Sequence, residues 1–186
     1  MSPKQRLPLT VEIGLLGFLC DGPLHGYEVN RRLEDPVGLG SVWKLRQSHL
    51  YGLLARMEAD GYLASTTMPQ ASHPPRRLYA LTPAGQAAFC NWLRTPVAHP
   101  RDLRLEFLVK LYFAERAEPA VLADLIQRQR LACQAWLEWQ ADQAAATPEH
   151  QAYRRQVSLY RRGQLAAVLA WLNGCEPASA LVVPVT

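Results

Sequence analysis

The chain has 186 residues, 49% of them hydrophobic and 19% charged, with 20 Lys and Arg against 16 Asp and Glu. That composition predicts one large or two small folded units and excludes a disordered chain, since there is ample apolar surface to bury and no run of like charges. The basic excess is uneven, ten basic against seven acidic side chains over residues 1–100 and ten against nine beyond, and with a pI near 9.0 it permits a polyanionic partner without requiring one.

The start, M-S-P-K-Q-R ahead of I-G-L-L-G-F-L-C, has the charge order of a secretory signal. Glu12 interrupts the approach to the apolar run, and Asp21-Gly22 follows Cys20 in place of a small-residue cleavage pattern. The run is also far below the ~18 residues that a membrane span needs. A buried helix, no membrane contact and a cytoplasmic location are therefore expected. Thr10 is the expected cap of that helix, and Val11, Leu15, Leu16, Phe18 and Leu19 give its apolar spacing before Asp21-Gly22-Pro23 stops it.

A second, short helix is predicted from His25 to Leu33, ending ahead of Pro36. A Gly-containing connection over residues 37–45 leads to a third helix in R-Q-S-H-L-Y-G-L-L-A-R-M-E-A-D-G-Y-L, with Leu50, Leu53, Leu54 and Met57 inward and Gly61 as a left-handed terminus. Residues 62–68 read as a strand, 69–75 as a Pro-interrupted excursion and 77–81 as the return strand, which makes a two-stranded hairpin. Thr82-Pro83 starts a fourth helix that runs to about Leu93. Helix, helix, helix, strand, strand, helix is the order of a winged helix-turn-helix domain.

Pro96 and Pro100 mark a boundary, and the expected division is 1–95 for the winged helix, 101–175 for a helical dimerisation domain and 176–186 for a tail. Past the boundary a helix is predicted over 102–115. A longer one follows through Val121, Leu125, Cys133, Trp136 and Leu137, and a last one restarts at Thr147-Pro148-Glu149 and ends at Gly174. The fold class is thus mainly α with a small two-stranded β-wing. The two long helices carry apolar residues on more than one face, and a second copy of the chain is the economical partner for them.

With the apolar row of the third helix inward, a turn of about 100° per residue places Gln47, Ser48, Tyr51, Gly52, Ala55 and Arg56 outside. Lys44 and Arg46 lie just upstream, and no acidic residue follows until Glu58. Gln and Ser can exchange hydrogen bonds with base edges in a major groove, while Tyr and Arg reach phosphates. The hairpin adds His73, Arg76 and Arg77 for the adjacent backbone or minor groove. A polar helix face or a pair of wing arginines is by itself ordinary solvated surface, and only their joint placement points to DNA.

The segments G-P-L-H-G-Y-E-V, H-L-Y-G-L-L-A-R-M-E-A-D-G-Y-L and R-R-L-Y-A-L-T-P-A-G resemble the PadR family of bacterial transcriptional regulators, over residues 9 to about 92. The segment from Asp102 to Leu111 is similar to the start of the helical domain in that family's larger members, the type of phenolic-acid repressors and virulence activators. The resemblance implies a homodimeric repressor whose intertwined C-terminal helices present two reading helices and two wings to a pseudo-palindromic double-stranded operator, with Tyr51 at the DNA. Gly52 stands where the family often has Pro, and Arg46 where a capping Ser or similar residue is usual. The resemblance also implies a small aromatic or drug-like effector. Trp136, Trp139, Tyr153, Tyr160 and Trp171 are the candidates to line its site or the dimer interface, core or interface being the plainer reading, and Trp43 and Trp92 are further tryptophans within its compass.

An enzyme is not expected. There is no Gly-rich phosphate loop, no Gly-x-Ser-x-Gly, no His-Glu-x-x-His and no Cys-His signature, and no cofactor or metal is implied. Cys20, Cys90, Cys133 and Cys175 are scattered, so buried reduced thiols are the plain reading and a redox pair the alternative that only the fold could assemble. A winged helix that binds protein instead of DNA is the alternative function; it would more often carry exposed apolar residues where this wing has Arg76 and Arg77.

Overall fold

A computed structural model describes residues 10–68, 76–146, 148 and 150–175. The excursion over 69–75, including His73, lies outside the described residues, as do Thr147, Glu149 and 176–186.

The first helix is more broken than its apolar spacing predicts. Val11–Ile13 is a 3₁₀ turn, α1 covers only Gly14–Gly17, and i→i−3 bonds from Phe18, Leu19 and Cys20 tighten its end. Thr10 does not cap it through its side chain; the Thr10 N–H and hydroxyl instead turn to Glu12 Oε2, at 3.0 and 3.4 Å. The close fit around its glycines explains its position in the core. A Cβ on Gly14 would meet Val109 at 2.7 Å, and one on Gly17 would meet Phe89 and Phe113 at 2.7 and 2.6 Å.

Leu24–His25 forms a strand, β1, that the sequence reading missed, followed by α2 at Gly26–Leu33. The His25 N–H donates to Glu28 Oε2 at 2.7 Å, so one orphan amide of the helix start is satisfied from inside α2. A 3₁₀ turn at Leu39–Ser41 sits in the expected connection, and α3 spans Gln47–Ala59 with Leu50, Leu53, Leu54 and Met57 buried. Gly61 has φ +79°, and the Tyr62 N–H reaches back to the Met57 carbonyl at 2.9 Å, which closes α3 with the left-handed glycine its sequence predicts.

β2 (Leu63–Met68) and β3 (Arg76–Leu81) pair antiparallel from Leu63↔Leu81 to Met68↔Arg76. β1 adds to the other edge of β3, Leu24↔Tyr79 and His25↔Leu78, so the expected two-stranded hairpin is a three-stranded sheet of order β1-β3-β2. A two-residue strand leaves no alternation to detect, which is why it was invisible. Thr82 Oγ1 accepts the Gly85 N–H at 3.0 Å and lies 2.7 Å from the Gly61 carbonyl, starting α4 (Pro83–Arg94) as expected. The first unit is a winged helix.

The described residues fall into two compact units. One compact unit comprises residues 1–93 together with 104–113, and the other 94–103 together with 114–186. The predicted helix over 102–115 is a 3₁₀ turn at Pro100–Arg104 and then α5 at Glu106–Ala114. Phe113 of α5 meets Phe18 and Phe89 edge-on at 5.3 and 5.4 Å, and Lys110 pairs with Glu106 at 3.0 Å beneath the Trp92 ring. α5 thus completes the core of the first unit.

In the second unit, α6 (Pro119–Ala145) and α7 (Ala152–Gly174) pack antiparallel, with Leu125, Ile126, Cys133, Leu165 and Leu172 buried. Arg130 donates twice to the Leu172 carbonyl, at 2.6 and 3.1 Å, adding to the Cys175 N–H that this carbonyl accepts at 3.3 Å in the last turn of α7. Gln129, wholly buried, accepts the Val97 N–H at 2.9 Å and so ties the connecting segment to α6. Among the described residues no helix is long and apolar enough to cross a membrane, and no group of three His, Cys, Asp or Glu side chains could hold a metal ion.

Candidate nucleic-acid interface

The row at the start of α3 is open. Lys44, Arg46, Gln47, Ser48 and Tyr51 are exposed, Arg56 is half-buried, and a Cβ on Gly52 would meet nothing within 4 Å. Arg46 occupies the cap position with extended backbone (φ −71°, ψ 141°) and makes no side-chain cap bond. The first amides of α3 therefore have no cap from its side chain, and the positive end of the helix lies beside two cationic side chains. Arg56 is turned along its own helix to Asp60, 3.5 Å away, and sits behind the leading turn rather than on it.

Tyr51 is held in place by its neighbour. A Cβ on Gly26 would lie 2.5 Å from Tyr51 Cε1, so the phenol ring lies against the first residue of α2 where only glycine leaves room, with 37% of the tyrosine still exposed. The Gly of the H-G-Y-E motif is thereby explained by a side chain 25 positions later in the chain.

The two wing arginines differ. Arg77 is engaged with Glu58 of α3 at 2.7 Å, and Ser65 Oγ donates to the same carboxylate at 2.7 Å, so the one acidic side chain near the row is neutralised and the hairpin is tied to α3. Arg76 is exposed and lies over the Tyr27 ring, its Cζ 5.4 Å from the centroid. Tyr27 in turn stacks on His25 at 5.7 Å and 14°, and His25 Nδ1 is 3.1 Å from the Arg77 carbonyl. The sequence reading missed Tyr27 and His25 as members of this surface. Their signal, an exposed aromatic beside the start of α2, had no meaning until β3 was placed next to β1.

The candidates in the second unit differ in exposure. Trp136 is half-buried, while Trp139, Tyr153, Tyr160 and Trp171 are exposed, Tyr153 at 81%. Trp43 and Trp92 belong to the core of the first unit, buried at 4% and 9%, and the Trp92 indole N–H donates to Glu106 at 3.0 Å. The thiols are all free, and only one of the four is buried, contrary to the plain reading: Cys20 and Cys90 are exposed, Cys175 is intermediate and Cys133 is buried. Burial pushes the Cys20 thiol up to about 11, with the charges of Cys90 and Asp21 adding to it; the residue touches solvent, yet its sulfur folds back to the Leu16 carbonyl at 3.8 Å.

Residues 15–91 match the transcriptional regulator PadR-like family. The negative transcriptional regulator PadR of Bacillus subtilis (strain 168) is 27% identical over 119 residues, 64% of this chain and 64% of that protein. A probable transcriptional regulator of Mycobacterium tuberculosis is 29% identical over 90 residues, 48% of this chain and 47% of that protein. The chain so spans less than two thirds of the length of these relatives. Among solved structures, Bacillus subtilis PadR in complex with operator DNA is similar with a TM-score of 0.47 and 23% identity, over 90% of this chain and 97% of that one. The same protein in complex with p-coumaric acid gives a TM-score of 0.40 and 22% identity, over 88% and 95%. Over residues 15–91, the chain is similar to the transcriptional regulator PadR-like family.

Proposed function

We propose that this protein is a sequence-specific regulator that binds double-stranded DNA through the leading turns of α3, with Arg76 of the hairpin on the adjacent backbone. The observation that carries the reading is the exposed row Lys44, Arg46, Gln47, Ser48 and Tyr51. Its helix end is positive, and Glu58, the next acidic residue along α3, is already occupied by Arg77. Gln47 and Ser48 would read base edges, and Lys44, Arg46 and Tyr51 would hold phosphates.

The regulator acts, in this reading, as a homodimer and a repressor that occupies a promoter. Exposed Leu131, Trp139, Leu159, Tyr160 and Trp171 support a second copy as the cover for α6 and α7, since large side chains left out on packed helices are interface material. Two reading helices would then address half-sites about 34 to 36 Å apart. A small aromatic effector that shifted this interface would lower affinity without touching DNA, and half-buried Trp136 is the residue to report it.

The test is fluorescence anisotropy with DNA from the protein's own upstream region, a scrambled duplex beside it and salt varied. A salt-dependent preference for the native duplex, lost in Tyr51→Ala, is the expected result. Equal, weak binding to both would point to a winged helix that meets protein. Sedimentation tests the dimer, and quenching of Trp fluorescence by a panel of phenolic and drug-like compounds tests the effector.

A further inference from the structure

The stack of three side chains at the start of β3 has no role in the reading above beyond the charge of Arg76. His25, Tyr27 and Arg76 come from the end of β1, the first turn of α2 and the first residue of β3. The order is fixed by geometry. His25 is held by the backbone pairing His25↔Leu78 and by its ring nitrogen at the Arg77 carbonyl, 3.1 Å away. Tyr27 lies nearly parallel on the imidazole, 14° between planes. The guanidinium of Arg76 lies over the Tyr27 ring, its Cζ 5.4 Å from the centroid.

Tyr27 is 45% exposed, and its charged neighbour in the stack is Arg76. An arginine at a strand end carries rotamer entropy that a phosphate contact would have to overcome, and a ring beneath the guanidinium removes part of it in advance. A cation over a ring keeps its edge N–H groups free, so the contact holds Arg76 without consuming the donors that a phosphate needs. Arg77 also lies over a ring, that of Tyr79 with its Cζ 5.6 Å from the centroid, but its guanidinium is engaged by Glu58 at 2.7 Å, and this carboxylate is what separates it from Arg76.

We propose that Tyr27 is a positioning residue for DNA binding, a platform that aims Arg76 at the phosphate backbone and sets sequence-independent affinity. The inference rests on the reading of the first unit as a DNA-binding module. It requires that the ring, not the phenol oxygen, does the work, and that Tyr27 acts only through Arg76.

The experiment is a double-mutant cycle in the full-length protein, read by anisotropy on the native and scrambled duplexes across a salt series. Tyr27→Leu is expected to weaken both duplexes by about two- to fivefold, the range of an exposed cation–ring contact. Tyr27→Phe is expected to match the wild type, and Arg76→Gln to lower the salt slope by about one. In the Arg76→Gln background, Tyr27→Leu should have no further effect. A loss with Tyr27→Phe, or a full loss with Tyr27→Leu when Arg76 is already gone, would overturn the proposal in favour of a direct Tyr27 contact. Wild-type binding with no response to Tyr27→Leu would overturn it and leave the DNA-binding reading standing, whereas absence of wild-type binding to either duplex would overturn both. Unchanged circular dichroism and thermal midpoints in the variants establish that the fold is not the cause.

Discussion

Gly26 and Tyr51 share a space that one added carbon would fill, a Cβ at position 26 standing 3.2 Å from Tyr51 Cζ as well as 2.5 Å from Cε1. The obstacle is the free end of a partly exposed ring, so the ring can swing away. Gly26→Ala should therefore leave stability within about 1 kcal/mol of the wild type, the helix propensity of Ala offsetting part of the displacement. Its DNA affinity should fall as far as that of Tyr51→Ala. Wild-type affinity in Gly26→Ala, measured by the same anisotropy titration, would show that the seated ring position is not the one used.

Gly52 offers the opposite case, a glycine inside a helix with nothing near it. Gly52→Ala should raise stability by roughly 0.5 to 1 kcal/mol, because the unfolded chain loses freedom and no contact is disturbed. If the open face of α3 approaches DNA closely, the same methyl should weaken binding. Paired urea melts and titrations check both signs, and a variant that is more stable and binds as tightly would place the close contact elsewhere on α3.

Glu58 restrains Arg77 and lies near the proposed phosphate path. Glu58→Gln should release the guanidinium at a cost below about 1 kcal/mol, since the pair is partly exposed and screened. Binding to every duplex should tighten, and the salt slope should steepen by up to about one. No change in slope would mean that Arg77 serves the fold and not the DNA.

Lys110 is buried to 1% and depends on Glu106, whose Oε1 also accepts the Trp92 indole N–H. Lys110→Met should cost about 3 to 5 kcal/mol, because it strands a carboxylate with little water. Adding Glu106→Gln should recover most of that loss. The urea midpoints of the single and double variants decide the matter, and an equal loss in both would assign the cost to packing.

The raised Cys20 thiol gives a pH prediction. Alkylation requires the thiolate, and with the thiol at about 11 instead of 9.0 the thiolate at pH 8 is about a hundredfold scarcer. Iodoacetamide should label Cys20 slowly at pH 8 and roughly tenfold faster for each pH unit up to pH 10. Mass spectrometry of the Cys20 peptide would expose a contrary result, rapid labelling at pH 8.

Much of the first unit was legible in the amino-acid order alone, and the reason is local. The inward set Leu50, Leu53, Leu54 and Met57, the left-handed Gly61 and the Thr82-Pro83 start each depend on residues within a few positions of one another, so periodicity and capping chemistry reveal them. The same periodicity named the outward row of α3, and the matched residues 15–91 cover it. Tertiary packing decided the rest. β1 has two residues and exists only because β3 lends it an edge. α5 follows two prolines in sequence yet finishes the core of the first unit, because Phe113 and Lys110 have their partners in Phe18, Phe89 and Trp92. Arg76 and Arg77 are equivalent as letters and separate only in space: each lies over a tyrosine ring, but Arg77 is also held by the Glu58 carboxylate, since an arginine's availability depends on partners that the chain brings from 19 and 49 positions away.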